Sequence, residues 1–128
     1  MTMMKKKQKN KKDKGKESYK YGIFVEKFIV ILLFLKGYNL LKWRFKCHYG
    51  EIDIIATKSS EIIFFEIKAR KLKINIEEVL RSKQILRLKW ASNYFISKNP
   101  KFQKYNVRFD FIEFKSLFSF KHHQNFIS

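Results

Sequence analysis

GEIDIIATKSSEIIFFEIKA, residues 50–69, is the stretch on which the fold turns. Two runs of β-branched and aromatic residues flank the short polar segment from Lys58 to Glu61, a pattern that predicts strands over 51–57 and 62–69 joined as a hairpin. With Ser59 and Ser60 as the two central turn residues, pairing runs outward from Lys58 and Glu61. It places Asp53 opposite Glu66 and Glu51 opposite Lys68. Directly opposed side chains have Cβ atoms roughly 5 Å apart, and two carboxylates that close repel unless a proton or cation lies between them. Hard oxygen ligands from two strands suit Mg²⁺ or Mn²⁺, which take one or two carboxylates together with waters and phosphate oxygens. Lys68, two residues from Glu66 on the same strand face, is placed to orient a water or to neutralise charge on a phosphoryl group. Taken singly, Asp53 also fits an edge-strand charge and Glu66 with Lys68 a solvated ion pair. Together on one hairpin they point to a metal site.

Upstream, the dense apolar residues from Ser18 to Lys36 predict a largely buried helix, with Ser18 as N-cap and Gly37 as its left-handed stop. Glu26 stands in that helix just before the apolar run Phe28 to Leu35, where an acid needs a partner. It is a third candidate metal ligand, with an exposed helix charge as the alternative. A strand is expected over 38–46. Downstream, a second helix is expected over 76–98, ended by Asn99-Pro100, with Val79, Leu80, Leu86, Trp90 and Tyr94 or Phe95 towards the core. A fourth strand is expected over 107–114. The order helix, three strands, helix, strand defines a mixed α/β class around a small sheet. One domain over 18–115 therefore lies between a disordered Lys-rich arm, 1–17, and a C-terminal tail, 116–128, in which His122 and His123 read as solvated.

The 128 residues include 29 Lys or Arg and 11 Asp or Glu, a net charge of +18. Such a charge favours a polyanionic partner, because each cation set on a phosphate releases a counterion. Lys outnumbers Arg 24 to 5, which suits diffuse phosphate attraction more than base reading. Compositional drift in an AT-rich genome is the other account of this charge. The single Cys47 excludes an internal disulfide framework and fits the reducing cytoplasm. No apolar run approaches the ~20 residues of a spanning helix, so membrane insertion is not expected.

The residues Lys36-Gly-Tyr-Asn-Leu-Leu, Tyr49-Gly-Glu-Ile-Asp-Ile-Ile-Ala56 and Ile63-Phe-Phe-Glu-Ile-Lys-Ala-Arg70 resemble the bacterial YraN-like family, also called UPF0102. That family is similar to archaeal Holliday junction resolvases and to the restriction-endonuclease-like PD-(D/E)xK nucleases. The resemblance covers about Tyr21 to Phe114 and implies an αβββαβ core, a small mixed sheet flanked by helices. It implies that Glu26, Asp53 and Glu66 bind Mg²⁺ or Mn²⁺ and that Lys68 completes the catalytic set. Arg70 matches the basic residue after that pair, Lys83 a helix lysine, and Arg108-Phe109-Asp110 a late-strand motif. With Arg44, Lys46 and Lys71, Arg70 and Lys83 are the candidates for nucleic-acid contact. This chain departs from the family at Val25, where a second glycine usually stands, at Ala69 for threonine, and at Arg44 for asparagine.

The implied activity is metal-dependent phosphodiester cleavage of structured or branched DNA, with a homodimer needed to cut two strands. The alternative is a non-catalytic nucleic-acid-binding protein with the nuclease fold, RNA- or ribosome-associated. Of the remaining residues, Cys47 reads as a small apolar filler. Tyr38, Trp43, Phe45 and Tyr49 are either core or stacking surfaces for unpaired bases, and Gln84 is a surface residue within reach of phosphate.

Overall fold

The structure, a computed structural model, describes residues 11–69 and 82–127, with side chains from 15 to 69 and from 84 to 127. Its elements in chain order are helix α1 (Lys11–Leu35), strands β1 (Asn39–Cys47), β2 (Gly50–Lys58) and β3 (Glu61–Ala69), helix α2 (Ser82–Lys98), a 3₁₀ turn (Pro100–Phe102), and strands β4 (Asn106–Ser116) and β5 (Ser119–His123). The strands form one sheet in the order β1-β2-β3-β4-β5. All neighbours run antiparallel except β3 and β4, which are parallel. A parallel pair cannot be closed by a tight turn, and the segment carrying α2 makes this crossover.

The β2–β3 hairpin has the expected register. Lys58 pairs with Glu61, Thr57 with Ile62, Ala56 with Ile63, Ile55 with Phe64 and Ile54 with Phe65. Ser59 takes the left-handed backbone at φ 55°, the conformation that two-residue hairpin turns demand. Beyond Ile54 and Phe65 the regular pairing stops. On the other side of β2, Trp43 pairs with Ile54 and Phe45 with Ile52, and Arg44 between them has φ 59°. Ile54 packs in the core layer under α1, whereas Ile52 packs in the layer under α2. The two-residue alternation of a strand therefore slips by one residue at Asp53.

The two helices cover opposite faces of the sheet. Val25, Ile29 and Leu33, spaced by four, lay one stripe of α1 against Ile54, Ala56, Ile63, Phe65, Ile112 and Phe114. Leu88, Ala91 and Phe95 lay α2 against Ile52, Ile55, Ile62 and Phe64. Phe64 and Phe65 are adjacent, wholly buried and on opposite faces; each such burial contributes about 1.5–3 kcal/mol. Near-continuous apolar runs in β2 and β3 are what a central strand covered on both sides requires.

Several expectations are corrected. α1 begins at Lys11, inside the stretch expected to be an arm, and Ser18 lies within the helix instead of capping it. Only one stripe of α1 is buried. Phe24, Ile31, Phe34 and Leu35 stay exposed, because a single sheet face can cover only one side of a helix. The inward face of α2 is also differently phased. Leu86 and Trp90 are exposed while Leu88 and Ala91 are buried. Val79 and Leu80 lie outside the described residues. The expected tail supplies an edge strand, β5, in which Phe114 pairs with Phe120 and Ile112 with His122.

Candidate functional site

Asp53 and Glu66 stand where β2 and β3 part. No ladder bond joins them. Instead the Asp53 carboxylate accepts the backbone N–H of Ile67 at 2.8 Å. Both acids are half-buried in a sheet that has few places for charge. Burial, then the neighbouring Glu66 charge, push the Asp53 pKa up to about 7, with Glu26 adding to the rise and the Ile67 amide and Lys68 opposing it. Burial also raises Glu66, with Lys68 acting against it and Glu51 and Glu26 reinforcing it. Lys68 Nζ lies 3.4 Å from Glu66 Oε1. The region thus holds more buried negative charge than its one lysine neutralises.

Glu26 is buried, and its Oε2 accepts the Nε–H of Arg44 at 2.9 Å. The Arg44 guanidinium also lies 5.1 Å over the Tyr19 ring and donates to the Tyr19 hydroxyl at 3.3 Å. The carboxylate holds the Arg44 pKa above its ordinary value. Arg44, expected on nucleic acid, is therefore the counter-ion of Glu26, brought there by its left-handed backbone. Among the described residues no three His, Cys, Asp or Glu side chains converge as a metal-ligand set. Glu26 acts on Asp53 and Glu66 electrostatically, while its Oε2 is bonded to Arg44. The residues that would hold a cation are Asp53 and Glu66, with Glu26 beside them as the third candidate. Their chemistry fits: two hard, half-buried carboxylates lacking full neutralisation match the one or two that a magnesium-type ion takes from protein.

Glu66, with Glu51, opens onto a cavity of about 180 Å³ whose wall also includes Gln84, Arg87, Leu88 and Ile127. That is below the ~300–1,000 Å³ of small-molecule sites. Arg87 is a cation that sequence reasoning missed; only the phase of α2, with Leu88 inward, brings it to this rim. Lys46 is exposed and pairs with Glu51 across β1 and β2. Arg70, Lys71 and the Lys83 side chain lie outside the described residues.

A second polar cluster braces the far side of the sheet. Asp110 is fully buried and accepts Arg108 Nε and Nη2 at 2.9 Å each, His122 Nε2 at 2.7 Å and the Asn125 amide at 2.9 Å. Burial works to raise its pKa, but bonds from His122, Arg108 and Asn125 outweigh this and hold it below the usual carboxylate range. Arg108 also donates to Glu61 at 3.1 Å and to the Tyr38 hydroxyl at 3.0 Å. His122 and His123 are not solvated. The second lies 3.0 Å from Glu113, and both histidines tie β5 to β4. The late-strand Arg108-Phe109-Asp110 motif is thus a structural clamp.

A five-stranded mixed sheet with a helix on each face, carrying acid, acid and lysine at the parting of its central hairpin, defines a small α/β nuclease-like core. Residues 25–114 match the sequence profile described as "Uncharacterised protein family UPF0102". The chain belongs to that family. It is 40% identical over 94 residues to a UPF0102 protein of Caldicellulosiruptor bescii, covering 72% of this chain and 79% of that one. It is 37% identical over 102 residues to a UPF0102 protein of Ehrlichia ruminantium, covering 78% of each. A Fusobacterium nucleatum UPF0102 protein is 43% identical over 84 residues, covering 63% of this chain and 69% of that one. No helix among the described residues is long and apolar enough to cross a membrane.

Proposed function

We propose that the protein is a divalent-metal-dependent endonuclease that cleaves phosphodiester bonds in structured or branched DNA. The observation that carries this reading is the pair Asp53 and Glu66, half-buried and both raised in pKa by burial, with the Glu66 charge adding to the rise at Asp53 and Lys68 Nζ 3.4 Å from Glu66. Asp53 and Glu66 would hold Mg²⁺ or Mn²⁺, which when bound supplies Lewis acidity at the phosphodiester. The Ile67 amide fixes the Asp53 carboxylate in place. Lys68 directs a water towards phosphorus and offsets charge developing on the phosphoryl oxygens. Hydrolysis then forms one P–O bond to water and breaks one P–O bond to sugar. The net charge of +18 draws the backbone onto the surface, and Arg87 and Lys46 flank the site to receive it.

Incubation with a four-way or forked DNA and Mg²⁺ or Mn²⁺ tests the reading. Cleavage is expected, and Asp53→Asn or Glu66→Gln should lower it at least a hundredfold. Equal cleavage by these variants, or none by the native chain, overturns it. The Arg44–Glu26 pair favours a second reading, a nucleic-acid-binding protein without turnover, since it engages one oxygen of the third candidate acid. That reading predicts salt-sensitive binding with no product and no effect of either variant.

A further inference from the structure

The β1–β2 turn carries His48 and Tyr49, and their rings gather with two aromatic residues of α2. His48 and Tyr49 have centroids 3.9 Å apart, Tyr49 lies 5.7 Å from Trp90 and 6.2 Å from Tyr94, and His48 meets Tyr94 edge-on at 5.5 Å. The underside of this group is anchored. Phe45 touches both Tyr94 and the buried Phe95, at 6.4 and 5.3 Å. Its outer side is open, with Tyr49 36% and Trp90 49% exposed. A cleft there is rimmed by Asn93 and Ser97, and Lys98 Nζ lies 5.7 Å over the Tyr94 ring.

Two features say what this surface receives. First, it is continuous with the carboxylate site. Gly50 and Glu51, directly after Tyr49, line the same cavity as Glu66. Second, its surroundings are cationic: Lys98 beside it, Arg87 one turn before Trp90 on α2 and in the cavity that Glu66 lines, and +18 overall. Rigid aromatic rings beside a cationic track are the means by which proteins hold unpaired nucleobases, because every base has a face to stack and its phosphates need neutralising. A Watson–Crick duplex keeps its bases stacked on one another and offers these rings nothing.

We propose that Tyr49 and Trp90 form a stacking platform for an unpaired base next to the scissile phosphate. The substrate is then a strand with at least one base outside the duplex beside the cut. This inference rests on the nuclease reading for its position along the strand, while the stacking itself is testable without cleavage.

The chain has two tryptophans, so Trp43→Phe leaves Trp90 as sole reporter. In EDTA this protein is titrated with oligodeoxythymidylate and with oligouridylate of about ten nucleotides, and with a blunt DNA duplex. Quenching by a single strand and not by duplex is expected, and the stronger quencher identifies DNA or RNA as the preferred strand. In the native background, Trp90→Ala and Tyr49→Ala should each weaken single-strand affinity roughly tenfold. Blunt-duplex affinity should not change, and Trp90→Phe should recover most of the loss. Unmoved Trp90 emission, or unchanged single-strand affinity in Trp90→Ala, overturns the platform. Quenching without cleavage by the native chain overturns the nuclease reading and leaves the platform standing. Cleavage of forked and blunt DNA at equal rates, insensitive to Trp90→Ala, does the reverse.

Discussion

The Asp53 carboxylate bonds the Ile67 amide across the hairpin at 2.8 Å, where a carbonyl of a regular ladder would otherwise be sought. The acid thereby does a backbone's work for β3 while remaining close enough to Glu66 for that charge to resist its ionisation. Asparagine offers the same acceptor without the charge, which separates the two roles.

The first prediction follows from that separation. Native Asp53 has a pKa near 7 against an ordinary value of 3.8, so between these values the native state holds a proton that the unfolded chain has lost. Stability contributed by this proton falls as pH rises through the window and is gone above it. Asp53→Asn should therefore melt higher than the native chain at pH 8, by roughly 3–6 °C, and nearly with it at pH 4. Thermal melts at the two pH values check this, with Glu66, Glu26 and Lys68 unchanged. A variant that melts lower at both is the contrary result.

Supplying a counter-ion should have a similar effect. Mn²⁺ or Mg²⁺ bound by Asp53 and Glu66 raises the melting temperature at pH 7.5, by about 2.7 kcal/mol of stability at a hundredfold excess over Kd. The rise should vanish in Asp53→Asn and Glu66→Gln, as read by scanning calorimetry with Ca²⁺-free metal titrations. A rise that persists in both variants would place the ion elsewhere.

The Glu26–Arg44 pair makes a structural prediction. Arg44→Ala strands a buried carboxylate, and breaking such a pair costs ~3–5 kcal/mol. The partly solvated guanidinium, 27% exposed, lowers this to about 2–4 kcal/mol. Adding Glu26→Gln to Arg44→Ala should recover most of the loss, because the stranded charge is gone. Urea melts of the two variants give the comparison.

On β4, Asp110→Asn should destabilise by about 2–4 kcal/mol at pH 7, since it leaves the largely buried Arg108 with only the partly exposed Glu61 as counter-ion. Asp110 has a lowered pKa, so its contribution is present above the ordinary value of 3.8 and is lost as pH falls below it. The gap between native and variant should close towards pH 3. Hydrogen exchange should show β5 released first, as its backbone holds only one edge of the sheet.

How far the residues themselves announced these features varies with the range of the interaction involved. The β2–β3 register was legible because two serines between β-branched runs leave one economical turn, and a slip would have put every isoleucine on the wrong face. The expected pairings of Asp53 with Glu66 and Glu51 with Lys68 lie beyond the ladder, which ends at Ile54 and Phe65. The parting of the strands at those residues was not legible, and it stands beside an Arg44 at φ 59° in the neighbouring strand, which no local pattern announces. The Arg44–Glu26 bond, spanning 18 residues, has no local signature. The α2 phase was ambiguous because Leu86, Leu88 and Trp90 are all apolar and only the sheet decides which turn inward. β5 was hidden by brevity: five residues at an edge show no periodicity, and its histidines acquire meaning only beside Asp110 and Glu113.

The slip at Asp53 has a lasting implication for how such a protein can change. In a strand of plain inside–outside order, Ile52 and Ile54 would face the same way and residue 53 would turn its side chain to the other layer. That sheet would be more regular, and it would be mute. Substitutions that tidy the backbone there should yield stabilised descendants in which the Asp53 carboxylate no longer stands beside Glu66, so at this one residue regularity and the pairing of two acids are competing outcomes.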